Sequence, residues 1–87
     1  MYGLRFAGKS RNHIRRLDQD TKRRILGRIE ELRADPYSPA ISEPLTARPG
    51  LRKSRVGGWR IVYEPQREGQ IIDVLVVQPR GQAYNRL

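Results

Sequence analysis

Three β-prone runs, residues 51–56, 59–65 and 70–78, are separated only by Gly57-Gly58 and by a turn containing Arg67, Glu68 and Gly69. Connections this short cannot carry a chain across a sheet face, so consecutive runs must pair antiparallel, and Gly-Gly between two such runs is a hairpin signal. The C-terminal half is thereby predicted to be a three-stranded antiparallel meander. In the last run Ile71, Ile72, Val74, Leu75, Val76 and Val77 place apolar side chains on both faces, as a central strand covered on each side requires.

The N-terminal half reads differently. Tyr2, Leu4 and Phe6 alternate with Gly3 and Arg5, the period of a half-buried strand, and Gly8 then Ser10 offer a turn and a helix cap. Ile14 and Leu17 suit a short helix from about residue 10 to 18, with Arg11, Arg15 and Arg16 outward. A second helix, capped by Asp20 or Thr21, carries Ile25, Leu26, Ile29 and Leu32 at helical spacing and stops at Asp35-Pro36. Its charges, with Arg28 one turn from Glu31, read as a solvated outer face. Pro36, Pro39, Pro44 and Pro49, with Ser38, Ser42 and Gly50, mark a long irregular connection. The economical architecture is α+β: a curved antiparallel sheet of about four strands with the two N-terminal helices packed on one face.

Eighty-seven residues leave room for one domain, residues 1–87, so any activity has to share the surface of a single core. That surface is basic: 18 Lys and Arg against 9 Asp and Glu give a net charge of +9, which points to a polyanion or an acidic partner. Without cysteine there is no disulfide or thiolate chemistry, and one His among few clustered acids argues against a metal site. No cofactor is expected. No apolar run approaches the roughly 20 residues of a membrane span and residues 1–7 are interrupted by Arg5, so a cytoplasmic protein with no membrane partner is expected.

The cations of the C-terminal half are patterned. Lys53 and Arg55, two apart, share one strand face, and pairing across Gly57-Gly58 brings Arg60 close to Arg55. Arg80 follows the last strand and Tyr84 lies four residues beyond it. Basic residues on exposed strands also serve as edge protection against aggregation. Together, however, these four cations and an aromatic suit a surface that grips a phosphate backbone and a base. Trp59 shares parity with Ile61 and Tyr63 and reads as core. His13 reads as a boundary residue of its helix, and Glu64 as an ion-pair partner of Arg60 rather than a general base.

Such a set has a chemistry available to it. RNA carries its own nucleophile, the 2′-hydroxyl, so cleavage without a metal needs alignment, removal of a proton, stabilisation of the pentavalent anion and protonation of the 5′-oxygen. Arg binds phosphate oxygens bidentately and stays charged, and an amine crowded by guanidinium groups loses its proton more readily.

The order strand, two helices, proline-bearing loop and three strands, with the block R-V-G-G-W-R-I-V-Y-E at residues 55–64 and an Arg and a Tyr four apart near the C-terminus, resembles the RelE toxins of the RelE/ParE superfamily. The resemblance spans nearly the whole chain. It implies a RelE-like fold and a type II toxin that enters the ribosomal A site, cleaves messenger RNA there and is held inactive by a cognate acidic antitoxin. It further implies that Lys53 and Arg55 are catalytic cations, with Lys53 the base, that Arg60 binds phosphate, that Arg80 stabilises or protonates the leaving side, and that Tyr84 orients or stacks on the substrate. Pro79 stands where many relatives carry a His, which leaves the cationic mechanism. Two other readings belong to different classes: a ParE-like inhibitor of DNA gyrase, which shares the fold, and a non-enzymatic basic module that binds RNA or an acidic partner.

Overall fold

The computed structural model describes residues 1–79. In chain order it contains β1 (Gly3–Phe6), α1 (Gly8–Arg16), α2 (Gln19–Ala34), β2 (Glu43–Pro44), β3 (Arg52–Val56), β4 (Trp59–Gln66) and β5 (Ile71–Pro79). The strands form one five-stranded sheet in the order β1-β5-β4-β3-β2. The α+β architecture and the meander β3-β4-β5 are those expected from the sequence. Two details are added: β1 joins β5 in parallel, and the two-residue β2 extends the other edge antiparallel to β3. Because the chain returns from β1 through both helices rather than a tight turn, a parallel pairing is available to it.

The hairpin between β3 and β4 is fixed by its turn. Gly57 adopts a φ of +57°, a left-handed value that costs a residue with a side chain and suits the two-residue loops whose twist matches the strands. The register that follows places Val56 opposite Trp59, Arg55 opposite Arg60, Ser54 opposite Ile61 and Lys53 opposite Val62.

β5 departs from the expected two-sided apolar strand. Val62 pairs with Val76 but Tyr63 pairs with Val74, so Leu75 is an extra residue in β5. This bulge reverses the side-chain parity along the strand. Ile72 and Val74 before it and Val77 after it all reach the same buried face, while Leu75 and Val76 stay half-buried. The long apolar run is a parity change, not cover on both faces.

The core lies between that face and α2. Ile25, Ile29 and Leu32 of α2 pack with Val56, Ile61, Tyr63, Ile72, Val74 and Val77, and Leu4, Phe6, Ile14, Leu17 and Trp59 close its margins. Burial of a side chain of this size stabilises by about 1.5–3 kcal/mol relative to exposure. The cap of α2 is Asp18 rather than Asp20 or Thr21: its carboxylate accepts the Thr21 amide at 3.0 Å, and hydrogen bonding to Thr21, first through its side chain and then through this amide, holds the carboxyl below its ordinary pKa. Ser10 does not cap α1 either. It sits buried inside the helix with its hydroxyl 2.8 Å from the carbonyls of both Ala7 and Val74, tying α1 to β5.

The connection from α2 to β3 is clamped from beneath. Tyr63, fully buried, donates its hydroxyl to the Pro36 carbonyl at 2.7 Å and bonds the Ser42 hydroxyl, which also accepts from Arg52 Nε at 2.7 Å. Burial pushes the Tyr63 phenol above its usual pKa, more than the bonds to Ser42 and Arg52 pull it down. This anchors the segment that carries Glu43.

Candidate active site

Period-two alternation sends Ser54, Val56, Ile61 and Tyr63 into the core, so Lys53, Arg55, Arg60 and Val62 emerge on the opposite face of the sheet, the face without helices. The structure therefore brings three of the five residues singled out in the sequence into one patch. Arg80 and Tyr84 lie outside the described residues. The floor of the patch is Val62, buried yet outside the core cluster, flanked in register by Lys53 and by Val76.

The electrostatics of the patch are unbalanced. Arg55 and Arg60 stand directly opposite one another, and like charges in that position are destabilising. The Arg60 Nε is buried and has no hydrogen-bond partner among the described residues. A buried donor without a partner usually costs about 1–3 kcal/mol. Glu64 does not relieve this: it is registered opposite Asp73, and no Arg60–Glu64 ion pair forms among the described residues.

The carboxylate that does reach the patch is Glu43. β2 aligns it opposite Lys53, and its Oε1 lies 3.5 Å from Lys53 Nζ and 3.4 Å from Arg55 Nη2. Lys53 is largely enclosed, its side chain 16% exposed, whereas Arg55 and Glu43 are about half exposed at 47% and 52%. Beside them a cleft of about 230 Å³ opens between the 39–43 segment, β3 and α2. Its inner wall is Arg28, whose Nη1 donates to the Ser54 hydroxyl at 3.0 Å and to the Arg55 carbonyl at 2.7 Å while its Nε holds Glu31 at 3.0 Å. Arg24, one turn earlier, lays its guanidinium over the Gly57 turn.

Glu43 and Arg28 are the residues of the site that sequence reasoning missed. Arg28 read as a solvated helix charge, and only its reach across to β3 reveals otherwise. Glu43 sits ten residues before its register partner inside a proline-rich stretch with no strand period, so the sequence held no signal for it. Among the described residues no three His, Asp or Glu side chains gather as metal ligands would. The patch instead offers two guanidinium groups and one ammonium side by side on the open face of the sheet, an arrangement suited to an anion with paired oxygens.

Comparison with known proteins bears on this arrangement. A family model described as the ParE toxin of the type II toxin–antitoxin system parDE matches residues 4–84. The fold is similar to that of Escherichia coli RelE in the intact RelBE toxin–antitoxin complex, at 22% identity over 91% of this chain and 96% of that one, with a TM-score of 0.82. It is equally similar to the isolated E. coli RelE toxin, at 21% identity over 99% and 98% of the two chains and a TM-score of 0.81. The RelBE2 toxin–antitoxin complex of Mycobacterium tuberculosis matches at 26% identity over 91% and 98%, with a TM-score of 0.62. No curated protein matches the chain.

Proposed function

The chain belongs to the ParE toxin family of type II toxin–antitoxin systems, within the RelE/ParE superfamily, and from that premise we propose that it is a ribosome-dependent endonuclease of messenger RNA. One observation carries the reading: Lys53, Arg55 and Arg60 lie in a single strip on the open face of the sheet, with two guanidinium groups opposed and no carboxylate on Arg60 among the described residues. A phosphodiester would relieve that crowding of like charge.

The reaction is a transesterification within the RNA. The 2′-oxygen of one nucleotide attacks the adjacent phosphorus, the bond from phosphorus to the 5′-oxygen breaks, and the products are a 2′,3′-cyclic phosphate and a 5′-hydroxyl end. One proton leaves the 2′-hydroxyl, accepted in this scheme by Lys53 in its uncharged amine form, which becomes the ammonium, and one is delivered to the 5′-oxygen. Arg55 and Arg60 hold the non-bridging oxygens, whose charge grows in the pentavalent state, so their contribution is greatest there. Arg80 acts on the leaving side and Tyr84 stacks on or orients the substrate. A set with no His acid relies on the ribosome to align the message. The toxin is held inactive by a cognate antitoxin that lays an acidic, amphipathic segment over the strip. Solved relatives captured as toxin–antitoxin complexes support a cognate antitoxin as partner.

The family model favours one competing reading, gyrase inhibition. Purified ribosomes programmed with a defined message separate the two. The nuclease yields a cut within the A-site codon; an intact message, together with cleaved DNA trapped in a gyrase supercoiling assay, would establish the gyrase inhibitor instead.

A further inference from the structure

β2 is an odd element on which to find the partner of two site cations. It is two residues long, lies at the sheet edge and exposes both Glu43 and Pro44. Edge strands this short are ordinarily blunted by proline and charge to discourage pairing with another chain. Glu43, however, turns its charge inward across the sheet. A single oxygen of it, Oε1, is shared between Lys53 Nζ at 3.5 Å and Arg55 Nη2 at 3.4 Å.

Both separations exceed the roughly 2.7–2.9 Å of a charge-assisted hydrogen bond, and Glu43 stays about half exposed at 52%. The contact is long, solvated and edge-borne, so it is readily exchanged. A carboxylate also shares with a phosphodiester the two features these cations recognise: one negative charge and two equivalent oxygens in a fork. The adjoining cleft gives a displaced side chain and an incoming anion somewhere to go.

We propose that Glu43 is a built-in surrogate for phosphate, occupying the anion position between Lys53 and Arg55 in the resting protein until a phosphodiester of single-stranded RNA takes its place. The inference deepens the proposed function by assigning a regulator to the same strip, and it rests on that reading only in requiring RNA as the ligand. Two consequences follow. Glu43 relieves the crowding of three cations while the site is empty, and it competes with every RNA that approaches, so weakly held RNA is turned away.

The full chain tests this without ribosomes. A fluorescent oligoribonucleotide with 2′-O-methyl groups cannot be cleaved, and its anisotropy reports affinity at several salt concentrations. Glu43→Gln should bind it on the order of fivefold more tightly, the scale of a weak exposed ion pair that no longer competes. Its log K against log salt should also steepen by about 0.7, the single-strand value for one further phosphate contact, because a cation no longer neutralised in advance counts fully in counterion release. Glu64→Gln removes the same charge from the same face at a carboxylate that forms no ion pair with Lys53 or Arg55 among the described residues, and should change affinity less than twofold. As a second readout, the Arg55 side-chain Nε–H resonance should shift at lower inorganic phosphate in Glu43→Gln than in the wild type. Equal or weaker RNA binding by Glu43→Gln, or a gain matched by Glu64→Gln, would overturn the proposal. Tighter binding by Glu43→Gln alongside an uncut message on wild-type ribosomes would sustain the surrogate and defeat the nuclease; the reverse pattern would do the opposite.

Discussion

The open face of the sheet has two ends, and they treat charge in opposite ways. At the β1–β5 end Asp73 is gripped by both arms of Arg5, with Nη2 to Oδ2 at 2.9 Å, and receives Gln66 Nε2 at 2.6 Å. The Arg5 hydrogen bonds hold its carboxyl below the usual aspartate pKa. At the β3–β4 end three cations have one carboxylate among them, Glu43, which makes long contacts to Lys53 and Arg55 but not to Arg60, and two of the three are directly opposed. The first arrangement closes on itself and contributes to the fold. The second is left open, and a protein that can build the first has a reason to keep the second. Unmet charge on an otherwise well-satisfied sheet marks where a ligand of opposite sign belongs.

The sharpest way to break this contrast is Arg60→Ala. If the cationic end serves a reaction, cleavage of a ribosome-bound message should fall by about a hundredfold or more, the usual effect of removing one group that stabilises a developing anion. The melting temperature should hold or rise, since the substitution removes a like-charge opposition and an unpartnered donor. A clear drop in melting temperature would return Arg60 to the class of structural residues.

Next in size is the clamp that delivers Glu43 to the strip. Tyr63→Phe leaves the Pro36 carbonyl without its partner and frees the Ser42 hydroxyl, and should cost about 1–3 kcal/mol in urea unfolding. Gly57→Ala attacks the turn that opposes Arg55 to Arg60. Its φ of +57° should make alanine cost about 1 kcal/mol, while the Arg24 guanidinium 2.5 Å from the new methyl can swing aside. An unchanged midpoint would mean the turn tolerates a side chain and the register has another source.

The smallest effect belongs to the closed end. The folded pKa of Asp73 is depressed, so its contribution to stability is complete above the unfolded value near 4 and is lost as pH falls through the lower folded value. Thermal melts from pH 6 down to pH 2 should therefore show a steeper acid loss for the wild type than for Asp73→Asn. Parallel curves would remove Asp73 from the account of acid stability.

How far this contrast was legible in the sequence depends on the range of the interactions involved. A two-residue turn dictates register, so Arg55 against Arg60 and Lys53 on the same face followed from Gly57-Gly58 alone. The helical spacing of Ile25, Ile29 and Leu32 placed α2 on the core. The cap of α2 was missed by two residues because Asp18, Asp20 and Thr21 are all competent caps and only backbone geometry selects among them. The bulge at Leu75 was invisible because an unbroken apolar run has no period in which a phase slip can be seen. Arg5 with Asp73 and Glu43 with Lys53 join segments distant in sequence, and Arg28 crosses from helix to strand. Such contacts depend on tertiary placement, which local pattern does not encode.

A nuclear magnetic resonance footprint of the uncleavable oligoribonucleotide tests the central claim most directly, because the chain has a rival basic surface in the exposed Lys9, Arg11, Arg15 and Arg16 of α1. The shifts should concentrate on Glu43, Lys53, Arg55, Arg60 and Val62, with Arg5 and Asp73 unmoved. Shifts confined to α1, with the strip silent, would contradict the account.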